Sequence, residues 1–180
     1  MIDIRPFETL DARQRDAAAG ILMRALAHVP SAYHTVEDAT AEVAKLAEDD
    51  RLGFAALDGE TLIGWIGAIR AYSHGWELHP LMVDPGHHRR GIGTMLIGAL
   101  EERARRDGVL TLFLGTDDDY GGTSLSGRDM FPDPLTALRE IAPASGHPFF
   151  FYRRVGFVPV GVLPDVNGKG KPDLLMAKRL

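Results

Sequence analysis

Trp76–Thr94 reads WELHPLMVDPGHHRRGIGT, and its three parts decide the fold around it. From Trp76 to Val83 the residues are apolar, with polar Glu77 and His79 two apart, which predicts a strand ending at Asp84-Pro85. Asp84 to Arg90 is a loop rich in Gly, His and Arg. From Gly91 onward, GIGTMLIGALEERARR carries the apolar spacing of an amphipathic helix. A helix N-terminus presents unpaired N–H groups and the positive end of its dipole, and glycines admit a ligand to the backbone. Arg89 and Arg90 add charge suited to phosphate oxygens. Strand, basic glycine loop and helix start together make either a phosphate grip or a plain capped turn. No GxxxxGK[ST] is present, and no GxGxxG follows a first βα turn with an acidic residue about twenty positions on. Neither a P-loop nor a Rossmann dinucleotide site is therefore indicated.

The run His88-Arg89-Arg90-Gly91-Ile92-Gly93-Thr94 resembles the acetyl-CoA pyrophosphate loop of the GNAT acetyltransferases, with His88 where Gln or Arg is usual. GWELHPLMV (Gly75–Val83), LGTDD (Leu114–Asp118), HPFFFYRRVGF (His147–Phe157) and GVLPDVNGKGKPDLLMAK (Gly161–Lys178) extend the likeness. Together they are similar to the GNAT-type aminoglycoside 6'-N-acetyltransferases, over most of Leu62–Lys178 and only loosely in the N-terminal third. The resemblance implies an acetyl-CoA-dependent N-acetyltransferase with no metal, acting on a small cationic amine. It also implies a central mixed, largely antiparallel sheet that splays where acetyl-CoA enters beside the Trp76–Val83 strand. Relatives often pair as homodimers, although no periodicity here marks an interface.

Composition sets outer bounds. The 180 residues fit one domain, 1–180, able to bury a substantial core. A net charge of −5 argues against nucleic acid, which needs a basic surface, and is compatible with a cationic substrate. With no cysteine there is no disulfide, thiolate metal site or cysteine acyl-enzyme, so an acyltransferase here would transfer directly within a ternary complex. No signal-like h-region follows Met1, and no stretch approaches the roughly 20 apolar residues of a membrane span. A cytoplasmic protein with no membrane partner is the expectation.

Taken in order, the chain predicts a strand over Ile2–Pro6 and a helix over Asp11–Leu26. A break follows at Ala27–His34, with Pro30 and Ser31. A second helix begins at Thr35, with Asp38 three residues on as in a capping box, and runs to about Glu48. Strands at Arg51–Leu57 and Thr61–Ala71 flank Asp58-Gly59, a hairpin signal. After the Trp76–Val83 strand and the helix to Arg106, a buried strand is expected at Val109–Gly115 and a long loop at Thr116–Phe131. A helical segment follows Pro134, a short helix spans His147–Val155, and strands span Phe157–Leu163 and Asp173–Arg179. Strands and helices mix without strict βαβ alternation, which argues for α+β with a mixed sheet.

Glu77 and His79 share one face of their strand, because alternate residues point the same way. They could bind and deprotonate an ammonium, or form a salt-bridged strand face. The resemblance places Glu77 by the reacting amine, with His79 in support. Pro80 has no N–H, so the sheet is expected to open there and free the Leu81 amide for an oxyanion. The resemblance further implies that Leu81, Met82 and Val83 line the pantetheine arm by backbone. Residues His88 to Thr94 would hold the pyrophosphate. It matches Tyr152 to the tyrosine beside the CoA sulfur, which protonates or hydrogen-bonds the leaving thiolate; on spacing alone it is a packing aromatic among Phe149–Phe151. Asp117, Asp118 and Asp119 could collect a polycationic substrate or form a solvated turn. Tyr120 stands where relatives tend to carry another acid. Tyr33 and Tyr72 wall the substrate groove by resemblance; taken singly, both read as packing residues. The pair His87-His88 is a poor metal site, since no third ligand lies at a useful spacing. The rival readings are a GNAT enzyme for another amine, such as a polyamine, amino sugar or peptide N-terminus, and a non-catalytic CoA- or drug-binding module.

Overall fold

The computed structural model describes residues 1–29, 32–144 and 146–180. Pro30 and Ser31, in the predicted break, lie outside the described residues. The chain divides into two compact units. The first is built on Met1–His28 and Ala32–Leu112, the second on Phe113–Arg179.

In the first unit β1 (Ile2–Pro6), β2 (Arg51–Asp58), β3 (Thr61–Tyr72) and β4 (Gly75–Val83) stand in sequence order, each antiparallel to the next. Helix α1 (Ala12–Ala25) starts with a complete capping box: the Asp11 carboxylate accepts from the Gln14 N–H, and the Gln14 side chain accepts from the Asp11 N–H. Its Ala18, Ile21 and Leu22 are buried at the spacing of one helix face. They join Leu57, Met82 and the fully buried Trp65 in a single core, where the Trp65 indole donates to the Ala18 carbonyl (3.1 Å). Helix α2 (Val36–Ala44) is capped by Thr35, whose hydroxyl accepts from the Asp38 N–H as expected. Helix α3 (Ile92–Arg106) buries Ile92, Leu96, Ile97, Leu100 and Ala104 and packs on β2 and β3.

The β3–β4 ladder carries the feature that shapes the site. Ile66 pairs with Leu81, but Ala68 pairs with Leu78, so His79 and Pro80 together oppose Gly67. That two-against-one step is a β-bulge, the device by which a sheet accommodates a residue that cannot donate. Gly67 permits it: a Cβ there would lie 2.4 Å from the His79 carbonyl oxygen.

In the second unit, which holds β5 (Thr111–Asp117) from Phe113 onward, β5, β7 (Asp173–Arg179) and β6 (Val158–Leu163) are ordered β5-β7-β6, with β6 antiparallel to β7. Helices α4 (Pro134–Arg139) and α5 (Pro148–Arg154) complete it. The strand expected at Val109–Gly115 begins two residues later. Gly108 takes φ +77°, the Val109 N–H bonds back to the Ala104 carbonyl (2.9 Å) and the Leu110 N–H bonds to the His74 carbonyl (2.9 Å), so Val109 and Leu110 precede β5. Thr116 and Asp117 then belong to the strand, and the loop starts at Asp118. His147, read as the first residue of a helix, is the N-cap of α5. The architecture is α+β, as the patterning predicts, with the mostly antiparallel sheet that the resemblance implies.

Candidate active site

The loop between β4 and α3 is built from two inward ties. The Asp84 carboxylate accepts from Arg24 of α1 (Nη2, 2.5 Å) and from the Gly86 N–H (3.0 Å). The Arg24 hydrogen bond, with help from Gly86 against partial burial, holds its carboxyl below the usual range. The His88 ring turns back onto the Val83 carbonyl (3.0 Å). His87 faces Asp84 instead, 3.6 Å away. The two adjacent imidazoles thus serve different partners, and no group of three potential metal ligands exists among the described residues.

These ties leave the far side of the loop open. Arg89 takes φ +61° and Gly91, the N-cap of α3, takes φ +78°. The Gly91 cap receives no side-chain hydrogen bond, and a Cβ placed on Gly91 would meet nothing within 4 Å. The first-turn N–H groups of Ile92, Gly93 and Thr94 have no acceptor within their helix. Left-handed backbone alternating with helix start is the geometry of an anion-binding nest. Arg90 lies 3.5 Å from Asp58 and Arg89 is exposed, so the flanking charge is at the surface. This is a site that can take a diphosphate.

On β4, Trp76, Leu78 and Met82 are buried, whereas Glu77, His79, Leu81 and Val83 are partly exposed. Glu77 has no ion pair or hydrogen-bonded partner among the described residues. His79 has one, but it is not Glu77: its Nε2 lies 3.4 Å from Oε1 of Glu42 on α2. Glu42 is 5% exposed, and its other oxygen takes the Lys45 ammonium at 2.6 Å. Burial first, and then the neighbouring Glu42 carboxylate, push the Tyr33 phenol up to about 12. Burial opposes the charge on Glu42, yet the Lys45, Tyr33 and His79 contacts outweigh it and hold its carboxyl below the ordinary value. Tyr72, at the end of β3, is 70% exposed.

The acidic run of the second unit behaves differently from expectation. Asp118 is fully buried, and its oxygens accept from the Gly122 N–H (2.7 Å), the Thr123 N–H (2.8 Å) and the Thr123 hydroxyl (2.6 Å). It organises its own loop and offers no free face to a ligand. Asp119 is also buried. Only Asp117 is exposed; its carboxylate accepts from the Asn167 amide. Tyr120 stacks on the His147 ring (5.6 Å between centroids), and burial with the neighbouring Asp118 and Asp119 pushes its phenol up to about 12. The His147 Nδ1 accepts from the Phe149 N–H, so Nε2 carries the proton and donates to the Asp117 carbonyl (2.9 Å). Burial keeps this ring below its ordinary pKa of 6.5 and neutral.

Tyr152 lies on α5, 8% exposed, with its ring beside Phe151 and Phe157. Burial raises its phenol far above the usual value, and its hydroxyl has no partner among the described residues. These ring contacts fit the packing role read from HPFFFYRRVGF, and the hydroxyl, unpartnered among the described residues, leaves the hydrogen-bonding role open.

The model of the Acetyltransferase (GNAT) family matches residues 21–123. The chain belongs to the GNAT family of acetyltransferases. A crystal structure of an aminoglycoside 6'-N-acetyltransferase complexed with coenzyme A is 36% identical, with a TM-score of 0.90, over 98% of this GNAT chain and 96% of that one. The aminoglycoside 6'-N-acetyltransferase from Enterococcus faecium is likewise 36% identical, with a TM-score of 0.87 and the same coverage. An uncharacterized N-acetyltransferase of Bacillus methanolicus is 34% identical over 55 residues, which is 31% of this chain and 46% of that protein's length.

The ties of Glu42 to Lys45 and of Arg24 to Asp84 are contacts that sequence reading missed. One signal for Glu42 was available: with Ala39 and Val43 it sits on the buried stripe of α2, where an unpaired carboxylate would be costly.

Proposed function

We propose that the protein transfers an acetyl group from acetyl-CoA directly to a primary amine, the 6'-amino group of an aminoglycoside being the acceptor. The likeness that carries this reading is the 36% identity, across 98% of the chain, to an aminoglycoside 6'-N-acetyltransferase of known structure. The open nest at Arg89–Thr94 fits a diphosphate, and residues His88 to Thr94 would hold the CoA pyrophosphate there. The backbone of Leu81, Met82 and Val83 would line the pantetheine arm. The co-substrate supplies an activated acetyl thioester.

An ammonium cannot attack a thioester until it loses a proton. Glu77, a carboxylate with no cation of its own among the described residues, binds the amine and takes that proton, directly or through water. As the C–N bond forms and the C–S bond breaks, charge builds on the carbonyl oxygen. The Leu81 N–H, next to the Pro80 bulge, donates to it, a contact worth about 3 kcal/mol per donor in other enzymes. Tyr152 serves the departing sulfur. A phenol raised by burial is a weaker acid than a thiol, whose reference pKa is about 8.5, so Tyr152 hydrogen-bonds the thiolate and keeps its proton. Acetylation removes a positive charge from the drug, which gives resistance.

One observation favours a less highly charged amine. Of the acidic run only Asp117 is exposed, so the second unit offers a polycation less charge than three free carboxylates would. Steady-state acetyl transfer to kanamycin, amikacin and spermidine separates the two readings. Micromolar KM for an aminoglycoside, with the product mapped to the 6'-nitrogen, is the expected result. Turnover of spermidine alone replaces the acceptor. Failure to bind acetyl-CoA at millimolar concentration overturns the co-substrate.

A further inference from the structure

Beneath the Glu77–His79 face lies a buried anion that the chemistry above does not use. Glu42 is 5% exposed, and its two oxygens are divided between different partners: Oε2 takes Lys45 at 2.6 Å, and Oε1 faces His79 Nε2 at 3.4 Å. The Tyr33 phenol neighbours the same carboxylate. Glu42 reaches from α2 to β4, while Tyr33 belongs to the segment preceding α2.

Such a cluster is weak evidence for stability. Replacing a buried ion pair by apolar residues of similar volume is often neutral or stabilising. Its geometric consequence is specific, however. The His79 ring is pinned by Nε2 toward α2, leaving its Nδ1 edge for another partner, two residues from Glu77 on the same strand face. That rotamer would be loose without the carboxylate, since His79 lies in a bulge and is partly exposed.

We propose that Glu42 is a positioning residue for the acceptor: by holding His79 it shapes the surface at which the amine substrate docks, and it has no part in gripping CoA. This rests on the reading that the Glu77–His79 face receives the amine. Glu42 touches no reacting atom and acts through His79, so a structural role and a positioning role predict different kinetics.

The test is Glu42→Gln, which keeps side-chain size and an acceptor oxygen but removes the charge, compared with His79→Ala and the double variant. The folded protein is checked first by thermal melting. For the best amine of the panel above, Glu42→Gln should raise the acceptor KM at least tenfold while the acetyl-CoA KM stays within twofold. In the His79→Ala background the same substitution should change the acceptor KM by less than twofold, because its route to the acceptor is already cut. Equal increases in both KM values, an unchanged acceptor KM, or full additivity with His79→Ala would each overturn the proposal. Wild-type protein that binds acetyl-CoA yet acetylates no amine would instead sink the reading of the face as an acceptor site, and this proposal with it.

Discussion

Two loops of this chain are each organised by an aspartate that accepts backbone N–H groups, and they end in opposite states. In Asp84–Thr94 the carboxylate of Asp84 takes Gly86 and Arg24 at the loop's start, and the N–H groups that follow, at Ile92 to Thr94, are left without internal acceptors. In the loop after β5, Asp118 closes on Gly122 and Thr123, and nothing of its carboxylate remains exposed. The first arrangement builds an anion site from the backbone; the second builds rigidity. An acidic residue in a loop is therefore informative only when the destination of its oxygens is known.

The largest effect expected from disturbing this contrast is in the closed loop. Asp118→Ala orphans three donors in a buried setting and should lower stability by roughly 3 kcal/mol, read as a shift in the urea midpoint at unchanged slope. A loss under 1 kcal/mol would mean the carboxylate is dispensable, and Asp118 could again be considered for ligand contact.

In the open loop the expected effect is smaller and of another kind. Gly91→Val meets no steric obstacle, since a Cβ there has open space, but it forces a β-branched residue to φ +78°. That strain is of order 1–2 kcal/mol. The acetyl-CoA Kd, measured by calorimetry, should weaken about tenfold while the acceptor KM holds. Unaltered affinity would show that the nest geometry is not what the co-substrate reads.

The smallest effect is on pH dependence and again concerns the closed loop. His147 is neutral, with Nδ1 accepting from Phe149 and Nε2 donating to Asp117, and burial depresses its pKa. A histidine depressed in the folded state gives stability that is complete above its unfolded value of about 6.5 and is lost as pH falls through the folded value. Within that window the slope is at most about 1.4 kcal/mol per pH unit. Chemical denaturation of wild type and His147→Asn between pH 5 and 8 should show this slope in the wild type and a flatter one in the variant. Parallel curves would assign the acid sensitivity to another group.

Much of this was legible along the chain because the forces involved are local. Apolar spacing in GIGTMLIGALEERARR, the Thr35 cap, the Asp58-Gly59 turn and the bounds of β7 at Asp173–Arg179 all depend on neighbours within a few residues. The basic glycine loop was legible for the same reason: φ-permissive residues and a helix start are adjacent in sequence. The two-residue displacement of β5 is only partly local, since Val109 turns back to Ala104 but the Leu110 N–H goes to the His74 carbonyl. Contact partners were not legible. His79 faces Glu42 and not Glu77, Asp84 is tied to Arg24, and the bulge at Pro80 needs Gly67 on the neighbouring strand to admit it.

Sequence by itself determined where strands, helices and the phosphate-compatible loop begin, because hydrophobic periodicity, caps and backbone permissiveness act over one or two turns of chain. Only the tertiary structure decided which carboxylates face solvent and which are enclosed. Asp117 and Asp118 are adjacent and chemically identical, yet one is exposed and the other completely buried. That outcome depends on which donors the folded backbone brings to each oxygen, and those donors belong to a loop conformation that single-residue chemistry does not specify.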